Sequence, residues 1–185
     1  MSELFSRPLP KLIAVVGLQV LILLSVIGFR QYTLMTRDTV LLVLQTTDPQ
    51  AIAGPDSAPV RYEISTVDVS TLPGDDEFMH SIYVELGETE DGTWQPLALH
   101  GTRHRSYDNT AMIKGDYIYA GGSLGRQRYT VVYGIEDVYI PDDAVASLPS
   151  GSGHTIAVEV KVDRFGQSEP ARFVVDGEPY PLEER

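Results

Sequence analysis

The sequence predicts an all-β fold, a small antiparallel barrel or sandwich, preceded by one N-terminal transmembrane helix. Three observations predict it: short segments in which apolar and polar residues alternate, turn-forming dipeptides between these segments, and one long uncharged apolar run near the start. A chain of 185 residues is long enough for such a run and for one β-domain with a core of its own.

Charge and composition exclude several classes of protein. The chain has 14 Lys and Arg against 26 Asp and Glu, a formal net charge of −12, which argues against a nucleic-acid partner because phosphates require basic side chains. It contains no cysteine, so disulfide bonds, thiolate metal sites and thiol catalysis are excluded. Four basic residues and one acidic residue precede residue 38, so the acidic excess belongs to the rest of the chain.

The apolar run covers residues 12–29 without a charged side chain. As a helix it would extend ~27 Å, close to the ~30 Å of a bilayer core. The run is longer than that of a cleaved signal peptide, and it is apolar on every side, unlike a surface helix of a globular domain. We predict a leader over 1–11, a transmembrane helix over 12–30 and a tether over 31–38.

The basic residues around this run predict its orientation. The amino terminus, Arg7 and Lys11 slightly outweigh Arg30 and Arg37, so the positive-inside rule places the leader in the cytoplasm. Residues 39–185 are then an extracytoplasmic domain, periplasmic or at the cell surface, of a single-pass cell-membrane protein. Membrane lipid around residues 12–30 is its first predicted partner, and the short tether keeps the domain near the membrane.

Strand periodicity recurs throughout residues 39–185. It is clearest over 154–162, where Ile156, Val158 and Val160 occupy one face and Glu159 and Lys161 the other. Dipeptides such as Asp91-Gly92 and Asp176-Gly177 favour tight turns between strands. Further strands are predicted over 39–45, 60–64, 81–86, 95–99, 112–119, 127–134 and 171–175.

Histidines offer the first candidate chemistry, because His100 and His104 lie four residues apart. Residues i and i+4 share a face in a strand as well as in a helix, so the two side chains can meet. A zinc site needs at least a third protein ligand, and the local sequence supplies none. The spacing therefore favours exposed histidines in a loop, and we predict no metal and no cofactor.

Acidic and serine motifs point to no catalysis either. The acidic pairs, such as Asp142-Asp143, could supply oxygen ligands to calcium, but none fits an EF-hand loop, and solvated loop charge is the preferred interpretation. Gly121, Ser123 and Gly125 have the spacing of a nucleophile elbow. That motif requires a strand-to-helix turn, whereas a strand-like segment follows here, which favours a glycine-rich hairpin loop.

The segment 129–141, YTVVYGIEDVYIP, is the most distinctive. Tyr133 belongs to one face of a strand, and Gly134 permits a bulge. Glu136 lies among aromatic residues, and two interpretations stay open at this stage. Its carboxylate can brace a bulge by accepting backbone N–H bonds, or it can form a recognition surface together with the tyrosines.

These segments, in this order, resemble the GDYXXLXY-domain family of bacterial membrane-anchored proteins. Asp48 and Pro49 match the family's Asp-Pro element, and Tyr62 matches the end of the named motif. Ser57 and Val60 replace the motif's first tyrosine and its leucine. The resemblance implies an extracytoplasmic β-domain that works beside a multi-pass membrane protein, with no known catalytic activity. The segments that carry it are TVLLVLQTTDP, RYEIS, YGIEDVYIP and VDGEPY.

Three functions follow as hypotheses. The first is a non-catalytic, membrane-anchored accessory subunit that binds a multi-pass membrane protein or complex. The second is an extracytoplasmic binder of a ligand or of the cell wall, which would use the loop over 120–125. The third is a membrane-tethered hydrolase that uses Glu136 or the two histidines. We predict no catalytic residues, and the predicted interaction or motif residues are Asp48, Pro49, Tyr62, Tyr133, Gly134, Ile135, Glu136, Tyr139 and Pro141.

Overall fold

A computed structural model of the chain describes residues 16, 18–20, 38–75, 81–104, 109–119 and 128–185. The chain forms two compact units, Met1–Arg37 and Asp38–Arg185. In the first unit Val16 and residues 18–20 are helical, and Val16, Leu18 and Val20 are about half exposed. Among the described residues, no helix is both long enough and apolar enough to cross a membrane. The leader, most of the predicted transmembrane helix over 12–30 and nearly all of the tether lie outside the described residues.

The second unit is all-β with few helical turns. Two 3-10 helices, η1 (Pro49–Ile52) and η2 (Glu63–Ser65), and one short α-helix, α1 (Asp142–Val145), interrupt the described strands. The strands are β1 (Asp38–Val43), β2 (Thr66–Asp68), β3 (Ser81–Glu88), β4 (Trp94–His100), β5 (Thr110–Tyr119), β6 (Arg128–Val132), β7 (Val138–Tyr139), β8 (Ile156–Val162), β9 (Ser168–Val175), β10 (Glu178–Tyr180) and β11 (Glu183–Glu184).

The strands form antiparallel sheets that join into a nearly closed, barrel-like arrangement. One sheet has the order β1-β8-β9-β10, a second has the order β2-β6-β5-β3-β4, and β11 pairs with β7. In the part of the chain that the structure describes, the contacts between the larger sheets include an antiparallel bridge between Leu44 and Tyr62, and a 2.9 Å bond from Lys114 N–H to the Gly166 carbonyl. The predicted all-β antiparallel class is therefore confirmed.

Alternating side chains of these strands make the core. In β1, Val40 and Leu42 are fully buried, and in β8 Val158 and Val160 are fully buried opposite them. Phe173 of β9 is likewise fully buried. Since each fully buried Val, Leu or Phe contributes about 1.5–3 kcal/mol, this shared core is the main source of the unit's stability.

One predicted strand is different in the structure. Residues 60–64 do bury Val60, Tyr62 and Ile64, but the chain turns into η2 at Glu63 instead of continuing as a strand. The hydroxyl of Ser65 accepts a bond from Tyr62 N–H at 3.1 Å, and Ser65 N–H donates to the Tyr62 carbonyl at 3.0 Å. This reciprocal pair closes a turn and leaves strand pairing to begin at β2.

Candidate interaction site

The residues of the YGIE block, defined as residues 133–141, follow the end of β6. Gly134 has a φ of 75°, a left-handed conformation that glycine adopts without the usual strain. The turn that it allows returns Ile135 to the core, where it is 2% exposed, while Tyr133 on the other side is 6% exposed. The block thus leaves the sheet and re-enters the core within three residues.

Glu136 braces this turn from inside. Its Oε1 accepts a bond from Tyr133 N–H at 2.6 Å, and its Oε2 accepts one from Ile135 N–H at 2.9 Å. Bonds of backbone N–H groups to a carboxylate are about twice as strong as neutral ones. These are the contacts that the bracing interpretation of Glu136 predicts. The second interpretation, a recognition role for the block, stays a prediction.

Two buried tyrosines lock the block to η2. The hydroxyl of Tyr62 donates to the Ile135 carbonyl at 2.7 Å, and the hydroxyl of Tyr133 donates to the Ile64 carbonyl at 2.8 Å. Each tyrosine therefore satisfies a carbonyl of the other's turn. Both hydroxyls point to internal carbonyls, so these two residues support the site from behind its surface.

Burial and charge act together on these tyrosines. Burial, and to a smaller extent the nearby Glu136 carboxylate, raises the pKa of both Tyr62 and Tyr133 far above the usual value of 10.0. A phenolate would be costly in this environment, because it would lose its hydration beside an existing negative charge. Both hydroxyls are thus held in the protonated, hydrogen-bond-donating form.

The rest of the block is attached to the last residues of the chain. The hydroxyl of Tyr139 donates to Oε2 of Glu183 at 2.7 Å, and the guanidinium of Arg185 lies 5.6 Å from the centre of the Tyr139 ring. Pro141 precedes α1, and its carbonyl accepts a bond from Ala144 N–H at 2.9 Å. Tyr139 and Pro141 therefore hold the block's exit.

The Asp-Pro element reaches the same region through η1. Asp48 caps this helix, since its Oδ1 accepts a bond from Gln50 N–H at 3.0 Å, and Pro49 is buried in the first turn. At the other end of η1, the Ile52 carbonyl accepts a bond from Ile140 N–H at 2.9 Å. The structure thus gathers Asp48, Pro49, Tyr62 and the YGIE block into one region.

A groove lies beside this region. It has a volume of about 370 Å³ and is lined by residues 58–61 on one chain segment, by Thr130, Val131 and Val132 of β6, and by Glu136 of the block. We call it the β6 groove. A neighbouring depression of about 330 Å³ shares residues 58–61 and continues toward η1. Two smaller depressions, of about 280 and 150 Å³, both border Gly134.

Some candidate residues do not join this region. The loop over 120–125, with its nucleophile-elbow spacing, lies outside the described residues. Asp142 and Asp143 form the exposed first turn of α1. His100 and His104 lie together at the end of β4, and the structure places Asp75, from the acidic run over 75–77, beside them. Residue type marks Asp75 as a possible oxygen ligand, but no local sequence signal pairs it with the histidines, because the bridge of Gly74 with Leu99 joins distant segments.

Comparison with known proteins supports a family assignment and nothing finer. No curated protein and no solved structure matches the chain. One family model, described as GDYXXLXY protein, matches residues 19–173, which include η1, the β6 groove and the whole YGIE block. The predicted resemblance is therefore confirmed, and the chain belongs to the GDYXXLXY family.

Proposed function

We propose that the chain is a non-catalytic, membrane-anchored accessory subunit whose β-domain binds a multi-pass membrane protein through the β6 groove. One observation carries the proposal: Glu136, from the block most characteristic of the family, lines this groove and fixes its border by bonds to Tyr133 and Ile135. The rigid tyrosine and carboxylate contacts behind the groove pre-organise it, which reduces the entropy lost on binding.

The form of the groove favours an extended protein segment as the ligand. Most of its exposed surface is apolar, although Arg61 and Glu136 add charge to its lining. Val132 is 41% exposed, although it belongs to a sheet. Its exposed side chain can contact an apolar group of a ligand in the groove.

The neighbouring strand ladder also favours a strand-like ligand. β2 pairs with β6 only from Thr66 with Thr130 to Asp68 with Arg128. β6 continues beyond this ladder to Val131 and Val132, and both residues line the groove. An extended peptide that paired with this end of β6 would use the mode known as β-augmentation, in the space that Ser65 of η2 and Thr66 also border.

The membrane part of the proposal rests on the sequence. The uncharged run over 12–29 is long enough for one span, and the tether is short, so a groove on this domain would be presented close to the bilayer. A multi-pass partner offers extracytoplasmic loops at that height, and the family resemblance implies such a partner.

The engagement of Glu136 argues against the hydrolase alternative. Both carboxylate oxygens accept backbone N–H bonds. Each oxygen keeps a second lone pair, so these bonds do not by themselves block a reaction. They do give the carboxylate a structural role, which accounts for its position without catalysis.

The test uses the full chain in its native membranes, with a photo-crosslinking amino acid at Pro59 or Val132. Leu97 is the matched control, because it is 48% exposed and belongs to β4, the opposite edge of the same sheet. We expect an adduct with a protein of several membrane spans from the two groove positions and none from Leu97. Equal adducts from all three positions, or no adduct from the groove, would overturn the proposal.

A substitution gives a second measurement. Val132→Arg is expected to abolish co-purification of the crosslinked partner in mild detergent, because it places a charge against an apolar ligand. Leu97→Arg should leave co-purification unchanged. If both variants retain the partner, the groove is not the docking surface.

A further inference from the structure

The end of β4 brings together three side chains of metal-ligating chemistry. Asp75, His100 and His104 each offer one ligand atom, and these atoms all lie within 4.8 Å of one another. The two imidazole rings are 4.8 Å apart between centroids. The sequence supplied the histidine pair without a third ligand, and the fold supplies the carboxylate.

Backbone contacts place the carboxylate of Asp75 beside the histidines. Gly74 forms a parallel bridge with Leu99, and its φ of 139° is one that other residues rarely adopt. A Cβ at this position would lie 1.8 Å from the Leu99 carbonyl oxygen, so only glycine permits the approach. Asp75 N–H then donates to the same carbonyl at 2.9 Å, which fixes the next residue against the end of β4.

The orientation of Asp75 is fixed as well. Its Oδ2 accepts a bond from Gly101 N–H at 2.8 Å, one residue beyond His100. This bond leaves Oδ1 to contact a cation. Two bonds therefore hold Asp75 next to the histidines: one from its own N–H to the Leu99 carbonyl, and one from Gly101 N–H to its carboxylate.

A second carboxylate orients His100. Oε2 of Glu85 lies 3.1 Å from Nε2 of His100, and the two side chains are only 16% and 20% exposed. A proton on Nε2 satisfies this bond and leaves a lone pair on Nδ1. Metal-binding histidines almost always donate their other N–H group to such a partner, which fixes the tautomer and raises the basicity of the ligand.

We propose that Asp75, His100 and His104 bind a divalent transition-metal ion of the zinc type, with Glu85 as the positioning residue. Two imidazoles and one carboxylate match the ligand preference of zinc, whereas calcium and magnesium prefer oxygen ligands. Water completes the coordination shell. The bound ion would tie the chain before β3 to the chain after β4, so we assign it a cross-linking role in the domain.

The experiment measures zinc binding by isothermal titration calorimetry of the full chain in detergent, without a polyhistidine tag. Because the chain has no cysteine, thiols cannot account for any binding. We expect one zinc ion per chain, a rise in the thermal midpoint on adding zinc, and no comparable binding of magnesium or calcium. A Co²⁺-loaded sample should show the absorption of a nitrogen- and oxygen-ligated tetrahedral site.

The variants separate a built site from chance surface binding. His104→Ala removes an exposed ligand and is expected to weaken zinc binding more than about 100-fold. Asp75→Asn can still accept the Gly101 bond, so it should fold normally while losing the charge that binds zinc. Glu85→Gln should weaken binding by about 10–100-fold, as the loss of an orienting partner does.

His154→Ala is the matched control. His154 also pairs with a carboxylate, Asp176, at 2.6 Å, but it is outside the three-ligand cluster. This variant should bind zinc as the unaltered chain does. The proposal is overturned if the unaltered chain does not bind zinc, or if His104→Ala and His154→Ala bind it equally well.

Discussion

Replacing Glu136 with glutamine tests whether the brace of the YGIE block stabilises the whole domain. The carboxylate accepts bonds from Tyr133 and Ile135, and a glutamine amide can accept only one of them. Its NH₂ group would face the other backbone N–H, donor against donor. One charge-assisted bond is thus lost and the other becomes neutral.

The magnitude follows from these two bonds. A bond to a charged group contributes about 1.5–3 kcal/mol and a neutral bond about 1 kcal/mol. Losing one and weakening the other costs about 3 kcal/mol in a dry site. Because Glu136 is only partly buried, water can replace part of this, and we expect a loss of about 2 kcal/mol in the free energy of unfolding.

The assay is urea unfolding followed by the fluorescence of Trp94, the single tryptophan of the chain. Trp94 lies in β4, at the opposite edge of the sheet from the β2–β6 pair, so its signal reports the unfolding of the domain and not a local change. With a slope of about 2 kcal/mol/M, the midpoint should fall by about 1 M. Asp137→Asn is the control, because this neighbouring carboxylate is 75% exposed and its ion pair with Arg185 is long, at 3.9 Å. If Glu136→Gln and Asp137→Asn both unfold at the midpoint of the unaltered chain, the brace does not stabilise the domain.

Three further predictions concern stability. In an alkaline titration followed by tyrosine absorbance, Tyr62 and Tyr133 should ionise only when the domain unfolds, because their pKa values are raised. The contribution of these tyrosines to the free energy of unfolding is intact below about pH 10 and falls above it, because the unfolded chain then loses protons that the folded chain keeps. A fully reversible titration of every tyrosine in the folded state would contradict this. For Asp176, bonds from His154 and then from Thr155 N–H lower the carboxyl pKa, so Asp176→Asn should destabilise the domain above about pH 4, and its difference from the unaltered chain should vanish as the pH falls through the lowered pKa. Thermal unfolding at pH 7 and pH 2 measures this, and an equal difference at both values would refute it. Finally, Gly115→Ala should cost about 1–3 kcal/mol, because the new Cβ would lie 2.4 Å from a methyl carbon of Val131 in the core. An unfolding midpoint equal to that of the unaltered chain would contradict the clash.

The strands could be predicted because their signal is local. In β8, alternation alone identifies Val158 and Val160 as core residues, and the neighbouring turn at Asp176-Gly177 connects β9 with β10 as its chemistry predicts. Residues 60–64 show the limit of that reasoning. The buried face was predicted correctly, but the hydroxyl of Ser65 redirects the chain into η2.

The candidate sites depend on contacts between distant residues, which periodicity does not contain. The exchange of bonds between the turns of Tyr62 and Tyr133 joins residues separated by 73 and 69 positions. Likewise, Asp75 reaches His100 only through the bridge of Gly74 with Leu99. Residue type pointed to Glu136 and to the histidine pair as candidates. The contact of the YGIE block with η2, and of Asp75 with the histidines, became evident only from the fold.

The pairing of β1 with β8 has a consequence for how the protein is made. β1 opens the domain, yet its ladder joins Val40 to Val160, so its partner is synthesised long afterwards. At a synthesis rate of ~5–20 residues per second, β8 leaves the ribosome about 10 s after β1. During that interval an apolar strand edge is available for wrong pairing. The domain therefore cannot complete its fold before β8 has been synthesised, and a chain truncated before β8 would be expected to aggregate.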